Sequence, residues 1–338
     1  MRRVTILYIR PQGDGWGPIT AMARLAAQLL DAELVEVDDT VVSRFLKLQA
    51  LFPRLLGAGS LLVIAPNPEM LLRAAALHGL RTRFRNVVGW IIDCWWTDRI
   101  PSVIRLGRLY DHILVTEKNV VEEWASATGK PVTWLPLGAD VLGAMKRTSA
   151  VKEREVDLQR MGRQAPAWED DHEIGTRAKD RGLVYAGRPP SLKDADASYA
   201  GVLDAYAHAR AVSAFSNRVS PASYTHPTRE YVTSRWLDAL AHGALVVGTR
   251  PREEGSDTLL WDDAVIDIDA RDPGTGLDEV ATLLRTWTPR TAEQIQREAL
   301  TRLDWRWRIE KAAQILETSS PVLDGEIDQL RQYIAHDG

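Results

Sequence analysis

Two carboxylates eight positions apart, Glu230 and Asp238, are the residue pair in this chain best placed to do chemistry. They lie in the segment EYVTSRWLDALAHGALVV, which predicts a helix, a helix end at His242-Gly243 and a buried strand over 244–247. Glycine tolerates the left-handed conformation in which helices commonly end. Because an α-helix turns once in about 3.6 residues, positions eight apart nearly share a face. Glu230, before the helix, and Asp238, on it, could therefore point into one cleft.

A glycine-rich loop, PQGDGWGP at residues 11–18, follows the first predicted strand. Gly13 and Gly15 let the backbone approach a ligand closely, and the start of the next helix supplies N–H groups for an anion. Asp14 lies between these two glycines. The spacing is neither that of a Walker phosphate loop nor that of the dinucleotide fingerprint G-x-G-x-x-G. A glycine-rich turn that holds no ligand is the alternative.

A second loop, DCWWTD at residues 93–98, follows the fourth predicted strand. Adjacent tryptophans after an acid suggest a wall for sugar stacking, because aromatic faces pack well against the C–H surfaces of sugar rings. One of Trp95 and Trp96 could instead be structural. Asp93 is the best candidate for a carboxylate on the acceptor side, and a helix cap is its alternative role. Cys94 is the single cysteine, which excludes an internal disulfide and fits a reducing cytoplasm.

Several segments resemble the retaining, nucleotide-sugar-dependent glycosyltransferases of GT-B fold. The Glu230–Asp238 pair, followed by A-x-A-x-G, is similar to their E-x7-E signature, with Asp as the second acid and Tyr-Val-Thr where Gly-Phe-Gly is usual. The segment LPLGAD at 135–140 resembles the LP-x-G-x-D signature between the two domains of that fold. The runs VDLQRMGRQAP, AFSN and R-x-L-D-A-L-A-x-G, the last beginning at Arg235, resemble the spore-coat CgeB-like branch.

The resemblance implies roles for particular residues. Glu230 would orient the donor sugar and Asp238 would hold the ribose. The Gly13–Gly15 loop would lie beside the donor phosphates and the acceptor. Related enzymes neutralise the departing diphosphate with cations and helix-start amides, for which the candidates here are Arg163, Arg188, Lys193, Arg229, Thr233 and Ser234. Arg163 is favoured over Arg188, because its segment resembles the CgeB-like branch.

The elements that must position these residues alternate between strands and helices, which is typical of a parallel, doubly wound sheet. The first half predicts strands at 3–9, 33–37, 61–65, 87–93, 112–116 and 132–136, with helices at 19–30, 42–56, 68–77 and 120–128. The second half predicts strands at 156–161, 183–186, 211–215, 245–248 and 265–268, with helices at 199–209 and 234–242. A polar linker is expected at 146–155, a segment too short for a long helix at 175–182, and terminal helices at 292–303, 307–317 and 323–334.

Size and composition indicate a soluble enzyme with two domains. The chain has 338 residues, of which 45% are hydrophobic and 26% charged, and its net charge of −4 gives no overall attraction to nucleic acid or anionic membrane. No apolar run has the length of a membrane span or a signal peptide, so a cytoplasmic location is expected. Seven arginines between Arg73 and Arg108 are either solvated helix faces or a patch for an acidic acceptor.

The sequence thus predicts an α/β protein of two Rossmann-like domains facing across a cleft, with C-terminal helices crossing back. The expected domains are an acceptor domain at 1–145, a nucleotide-sugar donor domain at 155–305, and helices at 306–338 that pack on the first domain. The expected activity is transfer of a hexosyl or pentosyl group from a nucleotide-diphosphate donor. The resemblance also implies retention of the anomeric configuration. No cofactor is expected, and no metal, since clustered His/Cys ligands are absent from the sequence.

Three alternatives remain open at this point. One is an inverting transferase with Asp14 or Asp93 as general base. Another is a nucleotide-sugar-binding protein without catalysis, since the second acid and the Gly-Phe-Gly segment depart from the family pattern. The third is a glycosyltransferase that acts on nucleic acid, which only the arginine cluster suggests.

Overall fold

The structure, a computed structural model, describes residues 3–38, 59–74, 84–100 and 109–335. The chain divides into two compact units. The first unit contains residues 1–136 and 306–333, and the second contains residues 137–305 and 334–338. Each unit is built on one parallel sheet.

The first unit holds a six-stranded sheet in the order β2-β1-β3-β4-β5-β6, and every neighbouring pair is parallel. Its strands are β1 (Val4–Arg10), β2 (Glu33–Asp38), β3 (Ser60–Ala65), β4 (Asn86–Ile91), β5 (His112–Val115) and β6 (Val132–Trp134). Helices α1 (Gly17–Leu29), α2 (Pro68–Ala74) and α3 (Val121–Thr128) lie between them. β3 is buried along its whole length, as expected for a strand covered on both faces of a sheet.

The second unit holds a five-stranded parallel sheet in the order β11-β10-β9-β7-β8. Its strands are β7 (Val156–Arg160), β8 (Tyr185–Ala186), β9 (Ala209–Phe215), β10 (Leu245–Thr249) and β11 (Val265–Asp267). The helices of this part of the chain are α4 (Val141–Thr148), α5 (Asp171–Lys179), α6 (Ala195–His208), α7 (Ser234–Ala241), α8 (Ser256–Leu259), α9 (Pro273–Leu284) and α10 (Pro289–Arg302). Helices α11 (Trp305–Ile315) and α12 (Pro321–Ala335) follow, and residues 306–333 belong to the first unit.

Each sheet contains a point where the strand order reverses. In the first unit β1 lies between β2 and β3, and in the second β7 lies between β8 and β9. In open parallel sheets, ligands bind outside the carboxyl ends of the strands at such a point. The loops after β1 and β3, and those after β7 and β9, are therefore the places to look for a site.

The α/β class predicted from the sequence, with two parallel sheets, is confirmed. Four helices were not predicted, namely α4, α5, α8 and α9. In α5 the Asp170 carboxylate accepts hydrogen bonds from the His172 and Glu173 amides, so the helix begins before the 175–182 segment. In α9 Asp272 caps Gly274 and Thr275, with Pro273 in the first turn.

The predicted linker at 146–155 is wrong at its start. Residues 146–148 form the last turn of α4, which belongs to the second unit. The buried Asp304 carboxylate accepts hydrogen bonds from the Val141 and Leu142 amides at 3.0 and 3.3 Å and so fixes the start of α4. The predicted helix at 42–56 and the last residues of the one at 68–77 lie outside the described residues.

Candidate functional site

The loop after β7 is shaped by a glycine and a buried arginine. Gly162 has a φ of +64°, and a Cβ there would lie 2.8 Å from Cδ of Arg235, so only glycine fits this turn. Arg160, at the end of β7, donates to Asp171 at 2.9 Å and to Glu169 at 2.5 Å. Burial opposes the charged form, but these two carboxylates raise the pKa of Arg160 above its ordinary value. The loop thus begins from a neutralised, rigid strand end.

Arg235, in the first turn of α7, joins the ends of β7 and β9. Its guanidinium donates to the carbonyl oxygens of Arg163 at 2.9 Å, Met161 at 3.4 Å and Phe215 at 3.3 Å. Burial and the nearby positive charge of Arg163 lower its pKa to about 10. Arg235 remains charged at neutral pH, and every one of these acceptors is a neutral carbonyl.

Arg163 brings a second guanidinium to the same place. Its Cζ atom lies 4.8 Å from the ring centroid of Tyr224, which is a cation–π contact. Its Nη1 atom is buried and has no hydrogen-bond partner. Among the described residues, the structure gives neither Arg163 nor Arg235 an ion pair with a carboxylate. Two neighbouring cations without a counter-ion form a site that favours an anion.

The competing cations, Arg188 and Lys193, lie in different surroundings. Arg188 pairs with Glu169 at 3.4 Å, and it also donates to the carbonyl oxygen of Gly162 at 3.2 Å. Lys193 is exposed in the loop between β8 and α6. The structure therefore brings Arg163 together with Arg235, while Arg188 shares the Glu169 carboxylate with Arg160.

The start of α7 lies beside these guanidiniums. Thr233 is the N-cap residue, and its side chain makes no capping hydrogen bond to the helix. The Thr233 hydroxyl instead accepts a hydrogen bond from Nε of Arg235 at 3.4 Å. Ser234 is the first helical residue. A helix N-terminus carries partial positive charge, so it adds to the attraction of an anion here.

Glu230 precedes α7 and links two strand ends. Its carboxylate accepts hydrogen bonds from the Ser216 hydroxyl, after β9, and from the Arg252 amide, after β10, the latter at 3.3 Å. The side chain is half-buried. Since α7 begins only at Ser234, helical spacing does not set the direction of Glu230.

Asp238 lies inside α7 in a more enclosed setting. It is 5% exposed and accepts a hydrogen bond from the Tyr199 hydroxyl at 3.3 Å. Burial raises the pKa of its carboxyl to about 7, the Tyr199 hydrogen bond acts in the opposite direction, and the Asp140 charge raises it further. Glu230 and Asp238 thus have different hydrogen-bond partners. Either carboxyl can take part in hydrogen bonds with hydroxyl groups.

Arg229 and its neighbour His226 belong to the loop between β9 and α7. The His226 Nδ1 atom accepts a hydrogen bond from the Arg229 amide at 3.0 Å, and the Asn217 amide donates to the Arg229 carbonyl oxygen at 2.9 Å. Asn217 is 4% exposed. These bonds order the loop that carries Glu230, so both residues have a clear structural role.

In the first unit, the glycine-rich loop leaves room for a ligand. Gly13 has a φ of +104°, which favours glycine, and a Cβ at Gly13 or Gly15 would have no atom within 4 Å. Neighbouring atoms therefore do not require Gly15 to lack a side chain. Asp14 lies in the turn Asp14–Trp16, and its side chain is outside the described residues.

The loop after β4 has a different character. Burial of the Asp93 carboxyl raises its pKa to about 8, and the Arg99 charge acts in the opposite direction. Trp95 is 6% exposed and belongs to the core, so it cannot form a sugar-stacking wall. Trp96 is half-buried and lies 4.3 Å from the Arg99 guanidinium. Cys94 is buried, and burial raises the pKa of its thiol to about 12, so it is inert.

Two further features bear on ligands. Across residues 3–38, 59–74, 84–100 and 109–335, no group of three or more His, Cys, Asp or Glu side chains is arranged to hold a metal ion. In the same part of the chain, no helix is long and apolar enough to cross a membrane. Four of the seven arginines of the 73–108 cluster, at 81, 83, 105 and 108, lie outside the described residues.

Sequence reasoning missed Arg235 and Tyr224 as site residues. Arg235 stood in the R-x-L-D-A-L-A-x-G run, and its place in the first turn of a helix that follows a strand end was the signal that could have identified it. Tyr224 carried no signal, because a lone tyrosine in a polar loop is ordinary.

Comparison with solved structures identifies the fold of this chain. The chain matches no model of a known protein family and no curated protein sequence. Among solved structures it is similar to HepE from Anabaena in complex with UDP, with 10% identity, a TM-score of 0.53, and coverage of 93% of this chain and 99% of that one. A glycosyltransferase from Rickettsia africae has 11% identity and a TM-score of 0.53 over 94% of this chain and 100% of its own.

A third structure is AviGT4, a glycosyltransferase involved in avilamycin A biosynthesis, with 13% identity and a TM-score of 0.54. The similarity covers 96% of this chain and 99% of that chain. The structural similarity establishes a shared fold, whereas identities this low leave the activity to be argued from the site. The fold of this chain is the GT-B fold of these glycosyltransferases, as the sequence predicted.

Proposed function

We propose that the chain is a glycosyltransferase that moves a sugar from a nucleotide-diphosphate donor to an acceptor. The proposal rests on the pair of guanidiniums in the second unit at the point where the strand order reverses, beside the ends of β7 and β9. Arg163 and Arg235 lie there without a carboxylate partner among the described residues, beside the start of α7. Such a site stabilises the negative charge that develops on a departing diphosphate.

The donor would bind through named groups of the second unit. Arg163, Arg235 and the amides at Thr233 and Ser234 would hold the diphosphate. The Glu230 carboxylate would orient the sugar beside them. Arg188 would contribute less, because its guanidinium is directed to Glu169 and to the carbonyl oxygen of Gly162. Binding of a UDP-type donor is supported by the HepE structure, which has this fold and contains UDP.

The other assigned residues have supporting roles in the proposal. Asp238 would bind ribose hydroxyls from its position on α7. Its carboxylate now accepts a hydrogen bond from the Tyr199 hydroxyl, so ribose binding would need a small rearrangement. Lys193 would reach the diphosphate as an exposed, flexible cation, and Arg229 would stabilise the loop before α7. Gly13 and Gly15 would let the acceptor approach their open loop.

We propose retention of configuration, of the E-x7-E type and close to the CgeB-like branch. The support for retention is the Glu230–Asp238 pair before and on α7, which resembles the E-x7-E signature. The transferred group would be a hexose or a pentose, the reaction would need no divalent metal, and the protein would act in the cytoplasm. The acceptor would carry hydroxyl groups and could be acidic.

Titration with inorganic pyrophosphate and with a uridine nucleoside, followed by calorimetry, tests the donor site. Arg163→Ala should weaken pyrophosphate binding by roughly 10- to 100-fold, the value of one or two charge-assisted hydrogen bonds, and leave nucleoside binding unchanged. Arg188→Ala is the matched control and should change pyrophosphate binding by less than about threefold. Equal losses for both ligands in Arg163→Ala would make that residue structural and remove the main support for the proposal.

A further inference from the structure

The turn between β9 and α7 places one aromatic residue on the proposed anion site. Tyr224 is 69% exposed, which is unusual for a side chain of its size, yet its ring is not free in solvent. The Arg163 guanidinium lies 4.8 Å from the ring centroid. Arg235 in turn donates a hydrogen bond to the carbonyl oxygen of Arg163 at 2.9 Å.

The two guanidiniums repel each other, and the protein has to oppose this repulsion whenever no anion is bound. Arg235 is held by three carbonyl oxygens, from Met161, Arg163 and Phe215. For the Arg163 side chain, the Tyr224 ring is the contact that the described residues provide. The negative face of an aromatic ring attracts a cation, so it can hold the guanidinium without neutralising it. A carboxylate in the same place would neutralise it, as Glu169 and Asp171 do for Arg160.

We propose that Tyr224 is a positioning residue of the diphosphate site, whose ring holds the Arg163 guanidinium beside Arg235 before the anion arrives. This inference rests on the proposed function. Ordering a long side chain costs conformational entropy, and a side chain that is already ordered binds its ligand more tightly.

Two substitutions separate the ring from the hydroxyl. Tyr224→Leu keeps much of the volume and removes the π face, whereas Tyr224→Phe keeps the face and removes the hydroxyl. Tyr333→Leu, at a half-exposed tyrosine of α12, is the matched control. The probe is inorganic pyrophosphate, titrated into each variant by calorimetry, with the melting temperature of each variant measured without ligand.

We expect Tyr224→Leu to weaken pyrophosphate binding by about 3- to 10-fold, with Tyr224→Phe and Tyr333→Leu within about twofold of the wild type. In an Arg163→Ala background, Tyr224→Leu should cause no further loss, because the ring acts through Arg163. In turnover assays the donor KM should rise while kcat stays nearly constant. The melting temperatures without ligand should be equal.

The contrary results are distinguishable. If the wild type fails to bind pyrophosphate, both the proposed donor site and this inference are wrong. If the wild type binds, Arg163→Ala loses binding and Tyr224→Leu equals the wild type, only the inference is overturned. Tighter binding by Tyr224→Leu would make the ring a competitor of the anion, and an equal loss in Tyr224→Phe would assign the effect to the hydroxyl. Either result overturns the positioning role.

Discussion

The loop after β4 in the first unit and the loops after β7 and β9 in the second have opposite electrostatic characters. Burial shifts the pKa of an ionisable group in both regions. It raises the pKa of Asp93 to about 8 and helps to lower the pKa of Arg235 to about 10. At neutral pH the consequences differ, because an acid with a pKa of 8 is mostly uncharged whereas an arginine with a pKa of 10 keeps its charge.

This difference shows that similar strand-end positions can serve different ligands. The loop after β4 offers a neutral carboxyl and a half-buried tryptophan, which suit hydroxyl groups and sugar C–H surfaces. The loops of the second unit offer two cations and a helix start, which suit phosphate oxygens. Burial favours uncharged forms, so a charged site persists where the charged group is an arginine.

The largest expected effect comes from Glu230→Gln. The substitution keeps one carbonyl oxygen for Ser216 or Arg252 but removes the negative charge beside the proposed sugar position. We expect transfer to fall by about 100-fold or more, with pyrophosphate affinity within about threefold of wild type and an unchanged melting temperature. The exposed Asp257→Asn, in α8, is the charge-matched control. Wild-type turnover with every donor that supports activity would show that Glu230 only braces the strand ends.

A smaller effect is expected from Trp96→Ala in the first unit. Loss of the half-buried ring should raise the acceptor KM by about 10-fold, because a sugar ring loses its stacking surface. Pyrophosphate binding should not change. Arg163→Ala should give the reverse pattern, weakening pyrophosphate binding while leaving the acceptor KM nearly constant. If both variants affected both ligands equally, the division of roles between the two regions would be wrong.

The strands that carry these regions were predictable, whereas the contacts at their ends were not. Apolar runs such as 61–65 and 245–248 predicted β3 and β10 to within a residue, because a buried parallel strand needs continuous apolar sequence. Helix α9 was not predicted because Gly274 and Gly276 weaken its helical pattern, although the Asp272 cap and Pro273 mark a helix start.

Within the candidate site, residue types were predictable and partners were not. Cations after β7 and β8 could be foreseen from Gly162-Arg163 and Gly187-Arg188. Which of the two lacked a carboxylate depended on where Glu169 lies in the folded chain. Tertiary contacts of this kind set charge and exposure, and linear spacing does not encode them. The burial of Trp95 and of Asp238 has the same origin.

A third prediction concerns the pH dependence of stability. The pKa of Asp93 is raised from 3.8 to about 8 on folding, so the folded state keeps its proton where the unfolded state loses it. The contribution of Asp93 to the free energy of unfolding is therefore fully present below about pH 3.8 and is lost progressively as pH rises toward 8. Asp93→Asn removes this loss.

Urea denaturation between pH 4 and pH 8 measures the effect. We expect the free energy of unfolding of Asp93→Asn to rise relative to that of the wild type across this range and to stay parallel above it. Asp98→Asn, at an exposed neighbour, is the control and should remain parallel to the wild type throughout. Parallel curves for Asp93→Asn would show that Asp93 ionises normally, and the contrast between the two regions would disappear.

The smallest expected effect is that of chelation. If Arg163, Arg235 and the start of α7 stabilise the leaving diphosphate, EDTA should change the transfer rate by less than about twofold. A divalent ion that bridges the phosphates would need carboxylate oxygens of the protein. Three acids of the adjacent pairs at 170–171 and 262–263 already have partners: Asp170 caps α5, Asp171 binds Arg160, and Asp262 pairs with Arg250 at 2.8 Å. Recruiting them would break those contacts. Loss of transfer activity in EDTA and its recovery with magnesium would show that a metal ion stabilises the phosphate charge and that the guanidinium pair only binds the donor.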